Sequence, residues 1–212
     1  IRVSDSRKAT ALLAKLFYND PSSSFRLVGV TGTNGKTTTS MLLFKAAREL
    51  GISAGWIGTL GYYINDNHYE TRHTTPDILQ LNGIFAQMAE QGLKLVFMEV
   101  SSHALALDRV FGIEFDYCLF TNLSREHLDF HHNMEEYGKT KLKLFAGTLS
   151  GKAVGLINTD DSFGKRIYGE LKAEGAYVFS LGSENADFVI RGDGSHNDWE
   201  QSRFTLQCRE GM

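Results

Sequence analysis

At 212 residues, with 42% apolar and 22% charged positions, the chain has the composition of a soluble α/β domain and enough length to bury a sizeable core. A formal charge of −3 excludes the basic face that nucleic-acid binding needs, and no apolar run is long enough to span a membrane. Two cysteines, Cys118 and Cys208, are too few for a disulfide framework and fall in strand-like stretches, so both are expected as reduced core residues. The start Ile1-Arg2-Val3-Ser4-Asp5 lacks an export signal, which points to the cytoplasm, and lacks an initiator Met, which points to a fragment of a longer protein.

In chain order, Ala9, Leu12, Leu13, Leu16 and Phe17 recur at helical spacing and predict a helix over 5–17 that docks through this stripe. Turn residues from Asn19 to Ser24 interrupt it, and the β-rich run Arg26–Thr31 predicts the first core strand. The loop Gly32-Thr33-Asn34-Gly35-Lys36-Thr37-Thr38 follows and opens a helix that Gly51 stops. Helices are then expected over 78–91, 134–145 and 163–173, and strands over 95–100, 117–121, 153–158 and 177–181. The last two strands, 187–191 and 203–208, have no helix between them and suggest a hairpin across the polar stretch 192–201. This alternation implies an α/β fold, a mostly parallel central sheet with flanking helices and a P-loop.

The loop carries the strongest chemical signal. Glycines at 32 and 35 let backbone N–H groups converge, and the helix start adds unpaired N–H groups and the positive end of its dipole, which suits a phosphate. Lys36 would reach the outer phosphates and the Thr37 hydroxyl a magnesium ion, although Val30 stands where the commonest P-loop spacing has glycine. The plainer alternative is a glycine-rich turn capping a helix, with Lys36 solvated.

Glu99 ends an apolar strand in Met98-Glu99-Val100-Ser101-Ser102-His103, where it suits a hard cation or caps the next helix. Serine-hydrolase chemistry from Ser101, Ser102 and His103 is disfavoured, because sequence neighbours rarely form a triad and no Gly-x-Ser-x-Gly elbow is present. A second strand end leads into Thr121-Asn122-Leu123-Ser124-Arg125-Glu126-His127-Leu128-Asp129-Phe130-His131. Its two histidines stand four apart, yet His-Glu-x-x-His and a cysteine cluster are both missing, so zinc is a weak alternative. Lys141 shares a helix face with Met134, Tyr137, Leu144 and Phe145, whereas Lys139 and Lys143 fall off it and are expected in solvent. Burial there would favour a neutral amine, which can react with carbon dioxide to give a carbamate; the alternative is a lysine that snorkels outward over its alkyl stem.

The run from Thr31 to Thr38 resembles the Thr-Gly-Thr-Asn-Gly-Lys-Thr-Thr stretch of the Mur ligase family. The segment 121–131 is similar to the family's Thr-Asn-Leu-Thr-Arg-Asp-His-Leu-Asp-Tyr-His, departing at Ser124, Glu126 and Phe130, and Tyr137 to Phe145 fits its Tyr-x-x-x-Lys-x-x-Leu-Phe pattern. The resemblance implies that Gly32, Thr33, Asn34, Gly35, Lys36, Thr37 and Thr38 hold ATP, with Asn158 and Asp161 near its base. It implies that Thr37 and Glu99 bind Mg2+, and that His127 and a carbamylated Lys141 bind a second ion, so that Lys36, Glu99, His127 and Lys141 form the catalytic set. Thr74 and Thr75 in His73-Thr74-Thr75-Pro76-Asp77, with Ser101 and Arg109, match contacts to the UDP-N-acetylmuramoyl dipeptide in members that add the third peptide residue; Leu107 stands where many relatives have Gln.

The expected reaction is phosphorylation of the dipeptide carboxylate by ATP, followed by attack of an amino acid on the acyl phosphate. Residues 1–25 are then a linker and docking helix and 26–212 a central ATP-binding domain, with an N-terminal uridine-nucleotide domain and a C-terminal amino-acid domain lying outside this chain. The rivals are folylpolyglutamate or cyanophycin synthesis and a nucleotide-sensing regulatory module, for which a second metal site would be superfluous.

Overall fold

The computed structural model describes residues 2–71, 73–197 and 202–209. A single sheet runs in the order β10-β9-β8-β7-β6-β1-β5-β2-β3-β4. Its strands are β1 Arg26–Thr31, β2 Ala54–Gly58, β3 Gly61–Ile64, β4 Asn67–Tyr69, β5 Leu95–Glu99, β6 Tyr117–Phe120, β7 Val154–Asn158, β8 Val178–Gly182, β9 Phe188–Asn197 and β10 Ser202–Cys208. The seven from β9 to β2 pair in parallel, and the antiparallel pairs are confined to the margins, β3 and β4 on one side and β10 on the other.

Parallel strands lie between helical layers, and the sequence reflects it: β1 is buried from Leu27 to Thr31 and β2 along its whole length. The helices are α1 Ser6–Phe17, α2 Lys36–Glu49, α3 Ile78–Glu90, α4 Ser102–Ala106, α5 Leu128–His131, α6 Met134–Leu142, α7 Ala146–Leu149 and α8 Ser162–Ala173. Asp5, Asp77, Ser101, Asn133 and Asp161 cap α1, α3, α4, α6 and α8 by accepting first-turn N–H bonds. Val28, Phe44, Ala47, Ala54, Trp56 and Phe97 form one core, in which Phe44 and Ala47 come from α2. A larger core gathers Leu27, Leu81, Phe85, Met88, Met98, Phe145 and Ile167. No helix among the described residues is long and apolar enough to cross a membrane.

The chain leaves β1 through α2 for β2, returns through α3 to β5 beside β1, and then crosses to β6 on the other side of β1. The connections therefore diverge at the carboxyl ends of β5, β1 and β6, where an open α/β sheet leaves a crevice.

Several expectations need correction. The first helix forms, but it buries Ala11 and Ala14, while Leu12, Leu13, Leu16 and Phe17 are 51, 66, 76 and 82% exposed. Its neighbour is α3, and small side chains are what let two helices approach closely. The helix expected over 134–145 ends at Leu142 and tightens into a 3-10 turn, Lys143–Phe145, before α7. The hairpin exists, with β9 longer than expected; part of the polar stretch between its strands, residues 198–201, lies outside the described residues. Cys118 is buried and its thiol meets the Leu144 carbonyl, but Cys208 is exposed, because β10 is an edge strand.

Candidate phosphate and cation site

β1 delivers the glycine loop to the carboxyl edge of the sheet, and α2 starts at Lys36. Gly35 precedes it at φ 82°, a left-handed conformation that glycine adopts without strain. Gly32, at φ 147°, has no room for a β-carbon, which would overlap Thr121 Oγ1. The loop is laced to the segment after β6. Thr33 N–H donates to the Asn122 carbonyl (2.8 Å), Asn34 N–H to Asn122 Oδ1 (3.0 Å), and Thr121 Oγ1 to the Asn34 carbonyl (2.7 Å). The first turn of α2 leaves its N–H groups without intrahelical partners, beside this braced loop. Lys36 folds back, its Nζ donating to the carbonyls of Thr33 (2.7 Å) and Gly32 (3.1 Å), and burial pulls its pKa down against the attraction of Glu99 and Glu126. Thr37 is half-buried beside it, and Thr38 is exposed.

Glu99 is the centre of the site. It is 0% exposed at the end of β5, and Thr37 Oγ1 donates to its Oε2 at 2.8 Å. Thr59, just past β2, donates its backbone N–H to Oε1 (2.9 Å) and its hydroxyl to Oε2 (3.3 Å). Sequence reasoning missed Thr59. A β-carbon on Gly58 would overlap Glu99 Oε1 and the Trp56 ring, so the glycine is what lets β2 approach the carboxylate. Among the described residues no Lys, Arg or His lies within ion-pairing distance of Glu99. A buried carboxylate with hydroxyl neighbours and no paired cation fits a hard divalent ion with oxygen ligands.

α6 closes the other side of the loop. Lys141 is 1% exposed, and its Nζ donates to the Gly32 carbonyl at 2.7 Å while standing 4.4 Å from the centre of the Tyr137 ring. Burial, with Lys36 nearby, pushes its pKa down to about 7. Tyr137, also buried, reaches Thr33 Oγ1 with its hydroxyl (3.3 Å), so the helix that carries Lys141 also braces the loop. Lys139 and Lys143 are exposed. His127, at φ 55°, sits exposed before α5, edge-on to His103 with ring centres 4.9 Å apart. His131 is buried instead, its Nε2 2.9 Å from Ser102 Oγ, and burial lowers its pKa. No group of three or more His, Cys, Asp and Glu among the described residues is placed to share a metal ion.

Thr74 and Thr75 border the same crevice. Thr74 Oγ1 lies 3.1 Å from Thr59 Oγ1; Thr75 Oγ1 donates to the Glu99 carbonyl (2.9 Å) and accepts from Ser101 N–H (3.1 Å). Ser101 also caps α4 by accepting from Ala104 N–H, and Arg109 donates to the Thr75 carbonyl (3.3 Å). On the far side of the loop, Asn34, Gly35, Thr39, Leu119, Asn158 and Leu181 line a cavity of about 270 Å³. Asn158 steadies its wall by donating to the Thr121 carbonyl (2.7 Å). Asp161 is not among the lining residues; its carboxylate caps α8 at Gly164 N–H (2.8 Å) and accepts from Leu123 N–H (3.1 Å).

Comparison with known proteins decides the family. The Mur ligase middle domain matches residues 30–211. The chain belongs to the Mur ligase family. It is 45% identical over 196 residues to the UDP-N-acetylmuramoyl-L-alanyl-D-glutamate--2,6-diaminopimelate ligase of Bacteroides thetaiotaomicron, which covers 92% of the chain and 40% of that protein. The ligase of the same name from Caldanaerobacter subterraneus is 44% identical over 210 residues, covering 99% of the chain and 42% of the relative. The chain thus spans about two fifths of the length of these curated relatives. A solved structure of a ligase of this name superposes with a TM-score of 0.78 at 28% identity, over 94% of the chain and 41% of its own. A Mycobacterium tuberculosis folylpolyglutamate synthase complexed with ADP reaches 0.75 at 15% identity, over 97% and 52%, a likeness of fold alone.

Proposed function

We propose that this chain is the nucleotide-binding part of a cytoplasmic ligase that uses ATP to join an amino acid to UDP-N-acetylmuramoyl-L-alanyl-D-glutamate, the substrate in its relatives' names. Residues 26–212 form the central domain of such an enzyme, 1–25 a linker and helix, and uridine-nucleotide and amino-acid domains complete it elsewhere in a longer polypeptide. The observation that carries this reading is Glu99, a buried carboxylate with no ion-pair partner among the described residues, 2.8 Å from the Thr37 hydroxyl at the start of the P-loop helix.

Magnesium held by Thr37 and Glu99 would neutralise charge on the transferring phosphoryl group. Gly32 to Thr38 cradle the triphosphate with backbone N–H groups, and Lys36 exchanges its two loop carbonyls for phosphate oxygens. Asn158 borders the nucleoside cavity, and Asp161 acts on it from behind by fixing Leu123 and the start of α8. Thr74, Thr75 and Ser101 hold the dipeptide across the crevice, with Arg109 offering its planar fork to a carboxylate. The bound carboxylate attacks the γ-phosphate, releasing ADP and leaving an acyl phosphate, which the incoming amine converts to an amide and phosphate. Near neutral pH a large share of Lys141 is the free amine, able to add carbon dioxide with loss of a proton, and the resulting carbamate would join His127 as ligands of a second cation.

Calorimetric titration of the chain with ADP tests the reading. Binding is expected to require magnesium, to weaken about tenfold or more in Lys36→Ala, and to lose its magnesium dependence in Glu99→Gln. A wild-type chain with no magnesium-dependent nucleotide affinity would overturn it.

A further inference from the structure

Thr59 has no counterpart among the residues that the motifs single out, yet it stands between two parts of the site. Its backbone N–H holds Glu99 Oε1 at 2.9 Å, and its hydroxyl lies 3.3 Å from Glu99 Oε2 and 3.1 Å from Thr74 Oγ1. The register of β2 on β5, with Ile57 opposite Met98, brings Thr59 to the end of β5, and Gly58 clears the approach. One hydroxyl therefore spans from the carboxylate of the cation site to the segment that flanks the crevice.

We propose that the Thr59 hydroxyl is a positioning group that transmits occupancy of the Thr37–Glu99 cation site to the Thr74–Thr75 segment, so that loading with magnesium and nucleotide orders the carboxylate-substrate side of the crevice. The inference rests on the nucleotide-site reading above. A hydroxyl has a single proton to donate. With no cation, the proton of Thr59 goes to Glu99 Oε2, an oxygen that also accepts from Thr37 at 2.8 Å. A cation held by Thr37 and Glu99 would compete for the lone pairs of Oε2, and of its two hydroxyl contacts the longer, that of Thr59 at 3.3 Å, would be the one given up. The 3.1 Å hydrogen bond between Thr59 and Thr74, which Thr74 donates while the Thr59 proton is on Glu99, then reverses: Thr59 becomes the donor, and the Thr74 hydroxyl, now an acceptor, turns its own proton into the crevice. Thr75 cannot relay the same signal. Its hydroxyl bonds the Glu99 backbone carbonyl and the Ser101 N–H, neither of which changes charge when the carboxylate binds a cation.

The experiment compares the wild-type chain with Thr59→Val, Thr59→Ser and Thr74→Val, and reads amide hydrogen exchange at Thr74 and Thr75. Each protein is measured free, with ADP alone and with saturating magnesium and ADP, and saturation is verified by calorimetry. Magnesium with ADP is expected to slow exchange about fivefold or more in wild type and in Thr59→Ser, which keeps the hydroxyl. ADP alone is expected to leave it unchanged. In Thr59→Val, which keeps the backbone N–H on Glu99, the slowing falls below twofold, and Thr74→Val, which cuts the same bond from its other end, shows the same loss. Equal slowing in all four proteins overturns the relay, as does a wild type that binds magnesium and ADP without slowing at Thr74 and Thr75. A wild type that binds no magnesium–ADP overturns the nucleotide-site reading and the relay with it, an outcome that calorimetry alone reveals.

Discussion

Lys141 shows how burial changes the character of a residue. Its amine lies under the glycine loop, 2.7 Å from the Gly32 carbonyl, a bond that a neutral amine can still donate. With the folded pKa near 7 against an ordinary 10.5, the unfolded chain carries a proton across that interval which the folded chain has lost. Stability therefore rises with pH from about 7 towards the ordinary lysine value, and is lowest below 7, where folding must bury a charge. In Lys141→Met this pH dependence disappears. Between pH 7 and pH 9 the wild type should gain about 2 kcal/mol relative to Lys141→Met. Urea unfolding of both proteins in metal-free, degassed buffer measures this, and identical pH profiles would show that the amine stays charged in its pocket.

Among the elements, α1 gives the sharpest contrast between pattern and packing. Its sequence offers Leu12, Leu13, Leu16 and Phe17 as the buried stripe, but Ala11 and Ala14 occupy the contact and the large residues face outward. Leu16→Ser should accordingly change the stability of this chain by less than about 0.5 kcal/mol, whereas Ala14→Leu should cost about 1–3 kcal/mol by overfilling the contact. Thermal melts of the two variants decide it; a large loss in Leu16→Ser would place the stripe in a core. The same limit explains what else the sequence concealed. Periodicity reports that a helix has an apolar face but not whether a neighbour exists to cover it. β2 was hidden because Ala54-Gly55-Trp56-Ile57-Gly58 is poor in β-branched residues, and its two glycines serve close approach: at Gly55 a β-carbon would crowd Met88 and Leu93, as at Gly58 it would crowd Glu99 and Trp56. With β2 unseen, Thr59 could not be placed. By contrast, the glycine loop, Glu99 and the segment around His127 were legible, since each is a contiguous run at a strand end, where local residue types already point to an anion or cation site. The burial of Lys141 was legible for a different reason, because its spacing from Met134 and Tyr137 in α6 fixes its helix face without any long-range information.

At the scale of the whole molecule, the sheet has a protected centre and one weakly held margin. β1 lies between β5 and β6 in continuous parallel ladders, is buried on both faces, and carries the P-loop at its end. Among the described residues, the β9–β10 hairpin pairs with the rest of the sheet only at Leu181↔Phe188 and Gly182↔Val189, with the Phe188 ring against Phe179, and β10 pairs only with β9. Phe204 and Leu206 of β10 are exposed, so opening the hairpin there gives up backbone bonds without uncovering a core. Sub-global opening should therefore reach β10 far below the free energy of complete unfolding, while amides of β1 open only with the whole domain. Native-state hydrogen exchange is expected to show residues 204–208 exchanging about a hundredfold faster or more than residues 27–31. On the proposed nucleotide site, magnesium–ADP should widen that gap, because a ligand held by the loop after β1 stabilises the folded centre by mass action. If residues 204–208 proved as protected as β1, the hairpin would have to unfold cooperatively with the glycine loop and β1, and the sheet would be one cooperative unit from edge to edge.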